Sequence, residues 1–267
     1  MKKMNFIKMQ GIGNDFILID SRKEDLSDID LSKLAQDICN RNFGVGADGL
    51  LVVQPSKKAH YRMEVWNPDG SEAEMCGNGI RCFAKYVFET DKLKEELISV
   101  ETPAGIILPA VILDRSGNVI GVEVDMGEPK DEGEIQLQGF DFKKISMGNP
   151  HAIAFIKDLN DVDISEIGSI IELDSHFKNR TNVEFVKVIS NKEIEVMVWE
   201  RGVGITLACG TGACASVVAS SLAGKTGRRV IVHLPGGNLD CEWQESDNHV
   251  IMRGPAETVF QGTYFSS

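Results

Sequence analysis

The chain has 267 residues, 42% of them hydrophobic, which is enough for one large domain or two of ordinary size with buried cores. With 40 acidic against 28 basic residues the net charge is −12, which removes the electrostatic case for binding nucleic acid or an anionic membrane. No apolar run reaches the length of a signal-peptide core or a membrane span, so the expected location is the cytoplasm and the six cysteines read as free, metal-bound or catalytic thiols.

From the N-terminus, NFIKM and FILID read as strands on either side of GIGND. A mixed charged and apolar stretch from about Asp30 to Asn40 reads as a surface helix. GVGADG, residues 44–49, fits G-x-G-x-x-G, but a helix precedes it and the apolar run LLVV follows, the reverse of a dinucleotide-binding turn. Its glycines are expected to serve a turn. YRMEVW is the next strand, and MCGNGIRC, residues 75–82, sets a cysteine directly before a glycine-bracketed helix start. LISVET, GIILPAVIL and VIGVEVDM continue the strand pattern, with DRSGN supplying turn chemistry near the join of two halves. Beyond it come FKKISM, HAIAFI, a second surface helix from about Asp161 to Glu172, NVEFVKVI and EIEVMVW. ACGTGAC, residues 208–214, then opens a stretch from Gly210 to Gly224 without a single charge, the pattern of a buried helix. RRVIVHL, LDCEWQ and HVIMRG close the series as strands.

The pattern repeats. Trp66 and Trp199 are 133 residues apart, and so are Cys76 and Cys209, each cysteine opening a Cys-Gly-x-Gly helix start. Asn14 in GIGND and Asn149 in MGNPH stand 62 and 60 residues before their cysteines. The expected fold is therefore α/β (α+β), with two pseudosymmetric domains, each a curved mixed sheet wrapped around a central buried helix. The halves are set at 1–118 and 119–255.

A helix start gives a cysteine a specific chemistry. Unsatisfied N–H groups and the positive end of the helix dipole favour a nearby anion, so a thiol there is expected to fall from about 8.5 toward neutrality. The same N–H groups can seat a carboxylate, and the glycines allow close approach. One such cysteine reads most simply as a small buried hydrophobe; two at matching repeat positions point to a paired function. Cys82 and Cys214 lie one to two turns into the helices and read as packing residues. A structural zinc site on Cys76, Cys82, Cys209 and Cys214 would need short-spaced knuckles, which C-x5-C and C-x4-C lack, and neither motif is the C-x-x-C of a redox dithiol. The repeat adds Asn14, Asn67, Asn149, Asn182, Glu200 and Arg201 as candidates for a substrate bearing carboxylate and ammonium groups. His151 opens a strand, and from spacing alone structural and functional roles stand level.

The set GIGNDF, NPDGSEAEMCGNGIRC, MGNPH, RTNVEF, WERGVG and ACGTGACA resembles diaminopimelate epimerase along nearly the whole chain. The resemblance implies interconversion of LL- and meso-diaminopimelate in lysine and peptidoglycan precursor synthesis, with no cofactor, neither pyridoxal phosphate nor a metal, and a cytoplasmic homodimer. It makes Cys76 and Cys209 the two bases, with Gly77, Asn78, Gly210 and Thr211 at the helix starts that hold the reacting carboxylate. Asn14, Asn67, Asn149, Asn182 and Arg201 would contact substrate, and Glu200 and His151 would assist near the reacting carbon. It also implies that the segment 256–267 returns to complete the first half. Gly49 departs from the pattern, because some relatives carry a glutamine there that contacts substrate. Proline or hydroxyproline racemases share the repeat but usually carry histidine where this chain has Asn78, and a non-catalytic thiol or zinc-binding protein is the alternative from another class.

Overall fold

The computed structural model describes residues 2–266. Short alternating or fully apolar runs become strands, and a helix intervenes wherever two neighbouring strands run parallel, because a parallel pair needs a crossover. In chain order the elements are β1 (Lys2–Gly11), β2 (Asn14–Asp20), α1 (Leu31–Ile38), β3 (Gly49–Gln54), β4 (Tyr61–Trp66), β5 (Glu72–Ala73) and α2 (Gly77–Asp91). Then follow β6 (Val100–Thr102), β7 (Gly105–Ile107), β8 (Ala110–Leu113), β9 (Val119–Asp125), β10 (Lys130–Leu137), β11 (Phe140–Ser146) and β12 (Pro150–Phe155). After a short 3-10 turn come α3 (Ile164–Glu172), β13 (Asn182–Ser190), β14 (Glu193–Glu200), β15 (Gly204–Ile205) and α4 (Gly210–Leu222). The last are β16 (Arg229–Leu234), β17 (Gly237–Trp243), β18 (Val250–Gly254) and β19 (Glu257–Ser266).

The chain divides into two compact units, Met1–Val124 with Gly254–Ser267, and Asp125–Arg253. In the first, the sheet order is β19-β1-β2-β3-β4-β6-β7, with β5 on β4. Its neighbours are antiparallel except β2 with β3, joined through α1, and β4 with β6, joined through α2. In the second, the order runs β10-β11-β12-β13-β14-β16-β17-β18, with β15 on β14. Here the parallel pairs are β12 with β13, joined through α3, and β14 with β16, joined through α4. From β1 to β7 and from β11 to β17 the two units thus share the same connectivity, mixed sheet and central helix.

In the first unit α1 covers one sheet face with Leu34, Ala35 and Ile38 against Ile17, Ile19, Leu50 and Val52. In the second, α3 does the same with Ile164 and Ile171 against Ala152, Ala154, Val183 and Phe185. The central helices are buried along most of their length, from Asn78 to Val87 in α2 and across Ala213–Ser220 in α4. α2 manages this despite two cations. Arg81 is fully buried, with Nε donating to Pro255 O at 3.1 Å and Nη1 to Gly77 O at 3.2 Å. Lys85 donates to Val119 O at 3.3 Å. A Cβ on Gly11 would lie 3.0 Å from the Arg81 guanidinium, so the glycine leaves room for the buried charge.

Three segments differ from the sequence reading. GIILPAVIL forms two strands, β7 and β8, because Pro109 between them cannot donate to a ladder. LISVET is strand only over its last three residues, although Leu97 makes an isolated bridge to Ala110. β10, KDEGEIQL, is a charged strand with no apolar alternation; it is the edge of its sheet, where charge discourages pairing with another chain. Among the described residues, no helix is long and apolar enough to cross a membrane.

Candidate active site

Each unit builds a site at the start of its central helix. In the first, Cys76 is the N-cap of α2 in an extended conformation (φ −139°, ψ 118°), and its sulfur accepts from the Gly79 N–H at 3.4 Å. The β1–β2 hairpin turns through Ile12 (φ 48°) and Gly13 (φ 87°), both left-handed as a two-residue hairpin requires, and delivers Asn14 to the thiol. Asn14 Oδ1 accepts from Asn78 Nδ2 at 3.0 Å and lies 4.0 Å from Cys76 Sγ. Asp48 orients this amide, accepting from Asn14 Nδ2 at 2.8 Å, and is itself held by Arg41 at 2.6 Å. Arg41 and Lys8 both pair with Asp15, at 2.7 and 2.6 Å. Burial pushes the Asp15 carboxyl up, but hydrogen bonds from Arg41, Lys8 and Asp48 outweigh it and hold the group at about 2. Asn67 follows β4 and donates to Ser71 Oγ at 2.9 Å within its own turn. At Gly49 a Cβ would meet Trp66 O at 3.2 Å and the Phe16 ring at 3.3 Å, so the backbone there is crowded and supplies no side chain.

In the second unit Cys209 caps α4 with nearly the same geometry (φ −122°, ψ 111°) and accepts from the Gly212 N–H at 3.4 Å. Its sulfur is 3.6 Å from Thr211 Oγ1, which accepts from Asn149 Nδ2 at 3.3 Å. Asn149 Oδ1 is 3.1 Å from His151 Nε2, and His151 Nδ1 is 2.6 Å from Glu184 Oε1. The helix-start expectation of a lowered thiol is overturned at Cys209. Burial pushes this thiol well up, and the charges of Glu200 and Glu184 add to the effect, against hydrogen bonds from Thr211 and the Gly212 N–H. Desolvation outweighs the helix terminus.

Glu200, at the end of β14, accepts from the Thr206 hydroxyl. Asn182 donates to Pro150 O at 2.9 Å and accepts from the Arg201 N–H at 2.9 Å, tying β13 to the turn after β14. Arg201 is exposed, with Nη1 donating to Asn179 O at 3.1 Å. Buried Glu172 fastens this turn by accepting from Trp199 Nε1 at 2.7 Å, the Gly202 N–H at 2.9 Å and Arg180 at 3.3 Å.

The structure therefore gathers Cys76, Gly77, Asn78 and Asn14 in one unit, and Cys209, Gly210, Thr211, Asn149 and His151 in the other. Glu200 acts on Cys209 through its charge, while Asn182 and Arg201 share a backbone contact. Sequence reading missed Asp48, Glu172, Glu184 and Thr206. Cys82 and Cys39 are packing residues, their thiols pushed up to about 12 by burial. Among the described residues no group of three His, Cys, Asp or Glu side chains is placed to hold a metal.

A helix-start cysteine in each of two units with matching connectivity defines an epimerase-type fold. Solved structures share it along essentially the whole chain. A PhzF-family phenazine biosynthesis protein of Bacillus anthracis matches with TM-score 0.77 at 16% identity, covering 100% of both chains. A hydroxyproline epimerase of Agrobacterium vitis matches with TM-score 0.76 at 13% identity, over 98% of this chain and 92% of that one. A family model described as Diaminopimelate epimerase matches residues 6–131 and 144–259. The diaminopimelate epimerase of Moorella thermoacetica is 48% identical over 98% of this chain and 99% of its own length. The chain belongs to the diaminopimelate epimerase family.

Proposed function

We propose that this protein interconverts LL- and meso-diaminopimelate, with Cys76 and Cys209 as base and acid at the α-carbon and without pyridoxal phosphate or a metal. One observation carries the reading: the repeat delivers two cysteines, each capping its own buried helix through an N–H to sulfur contact of 3.4 Å. Inversion at carbon needs one thiolate to remove the α-proton from one face and one thiol to supply a proton to the other. Cys209, pushed up by burial and by two carboxylates, suits the acid.

The α-proton beside a carboxylate is only weakly acidic, so negative charge must be stabilised as it develops. First-turn amides around Gly77 and Asn78, and around Gly210 and Thr211, supply fixed donors for the reacting carboxylate. Asn14, Asn67, Asn149 and Asn182 bind the polar groups of the substrate, and Arg201 takes the distal carboxylate. Glu200 and His151 assist near the reacting carbon. A cytoplasmic homodimer supplying lysine and peptidoglycan precursors goes with this reading, as does an origin of the two units by duplication.

The test is α-proton exchange of LL-diaminopimelate in D2O without added cofactor. Deuterium incorporation with appearance of the meso isomer is expected. Reduced protein that neither exchanges nor inverts would overturn the assignment.

A further inference from the structure

The two units differ where the repeat predicts likeness. Along β2 and β3, Phe16 stands opposite Gly49 and Leu18 opposite Leu51; along β12 and β13, His151 stands opposite Asn182 and Ile153 opposite Glu184. Phe16 and Leu51 are thus the counterparts of His151 and Glu184, and Leu51 and Glu184 each precede their cysteine by 25 residues. The place is the same in three dimensions. A Cβ on Gly79 would meet Leu51 Cδ2 at 3.2 Å, and one on Gly212 would meet Glu184 Oε1 at 2.7 Å. Beneath one helix start lies hydrocarbon, and beneath the other a carboxyl.

The fold does not need that carboxyl, since the first unit builds the same arrangement with leucine and phenylalanine. Both side chains of the polar pair are fully buried, and Glu184 Oε2 has no hydrogen-bond partner among the described residues. Such a pair is costly to desolvate, and well-packed hydrocarbon is often the more stable choice. What the pair contributes is order around the second thiol. Glu184 fixes the His151 ring, His151 fixes the Asn149 amide, Asn149 holds the Thr211 hydroxyl, and Thr211 touches Cys209.

We infer that Glu184 is a positioning residue for Cys209, acting through His151, Asn149 and Thr211 to set the hydrogen bonding of the second thiol. The inference rests on the epimerase reading for its kinetic consequence and on the geometry alone for its effect on the thiol. The titratable groups around Cys209 are Glu200 on β14, Glu184 on β13 and His151 on β12, with the Thr211 hydroxyl and the Gly212 N–H on α4. Burial and the Glu200 charge remain when Glu184 is changed; loss of the Glu184 charge alone would lower the thiol, whereas loss of the Thr211 hydrogen bond raises it, so the direction of the displacement reports the chain.

The experiment compares wild type with Glu184→Gln and with the double variant His151→Phe, Glu184→Leu, which installs the pair of the first unit. Circular dichroism and thermal melting establish the fold, and the Gln variant keeps the test open should the double variant fail to fold. Two readouts follow: kcat and KM for diaminopimelate, and the pH profile of iodoacetamide alkylation mass-mapped to Cys209. The expected result is folded protein whose kcat falls about 10-fold to 100-fold while KM stays within about 2-fold. The Cys209 alkylation midpoint should move upward by at least about half a pH unit. Folded variants whose midpoint is unmoved or lowered would overturn the inference. If wild type does not exchange the α-proton, the epimerase reading falls and the alkylation profile alone decides: an upward displacement upholds the positioning role, and an unmoved or lowered midpoint sinks it.

Discussion

Gly212→Ala should destabilise the second unit, whereas Gly79→Ala, the same change at the matching position, should be nearly neutral. Alanine in place of glycine within a helix gains up to about 1 kcal/mol. At Gly79 the new methyl meets Leu51 Cδ2 at 3.2 Å, the end of a flexible side chain that can yield a few tenths of an ångström. At Gly212 it meets Glu184 Oε1 at 2.7 Å, which is 0.7 Å inside the 3.4 Å where ordinary contact begins. That oxygen is held by His151 at 2.6 Å, so it can retreat only by breaking the bond. Losing a charge-assisted hydrogen bond costs about 1.5 to 3 kcal/mol. Net of the helix gain, Gly212→Ala should lose about 0.5 to 2 kcal/mol, with Gly79→Ala within about 1 kcal/mol of wild type. Urea unfolding of both variants measures the difference, and α-proton exchange should fall mainly in Gly212→Ala. A Gly212→Ala protein as resistant to urea and as fast as Gly79→Ala would refute the close approach of Glu184 to the helix start.

Cys76→Ser and Cys209→Ser should each remove nearly all turnover with the melting temperature little changed, as kinetics and calorimetry would show; near-normal turnover in either contradicts the two-base assignment. Glu172→Gln exchanges an acceptor of three donors for a group that must itself present an N–H, loosening the turn that carries Arg201. Its KM for diaminopimelate should rise on the order of 10-fold with a smaller change in kcat, and equal effects on both would place the turn elsewhere in the mechanism. Asp15 has a folded value of about 2 against the ordinary 3.8, so it stabilises the fold above pH ~4 and loses that contribution as pH falls toward 2. In Asp15→Asn the stability-versus-pH curve should flatten over that window; an unchanged slope would show that the Lys8 and Arg41 contacts carry no net free energy.

Much of this was legible in the residues. The spacing of Trp66 and Trp199 and of the two cysteines exposes the repeat, and the chargeless run after Gly210 marks its helix as buried. α2 hides the same role behind Arg81 and Lys85, which donate to main-chain carbonyls that no side-chain pattern announces, with Lys85 also pairing with Glu89 at 3.4 Å. Turn chemistry in DRSGN places the end of the first half at 118, whereas the compact unit runs to Val124 and takes in Gly254. Glu184 was hidden by the alternation rule itself. In NVEFVKVI a glutamate between Val183 and Phe185 reads as the solvent-facing member of a half-buried strand, but α4 covers that second face. Asp48 gives no signal of its own in the sequence, because its glycine-rich neighbourhood explains a turn without it.

β19 lies against β1 from Lys2 paired with Ser266 to Gln10 paired with Glu257, so the first unit is assembled from both ends of the described chain. During synthesis β1 and its neighbours emerge long before β19, and an edge of nine paired positions stays open to any passing strand. The second unit is continuous, and its two ends are stitched together by Met126 N–H to Val250 O at 2.8 Å and Val250 N–H to Gly127 O at 2.9 Å. Folding it first roughly halves the loop that β19 must close, which saves only about 0.6 kcal/mol of chain entropy. Loop closure is therefore a minor obstacle, and the exposed strand edge, lasting until β19 is made, is the greater hazard on the way to the native state.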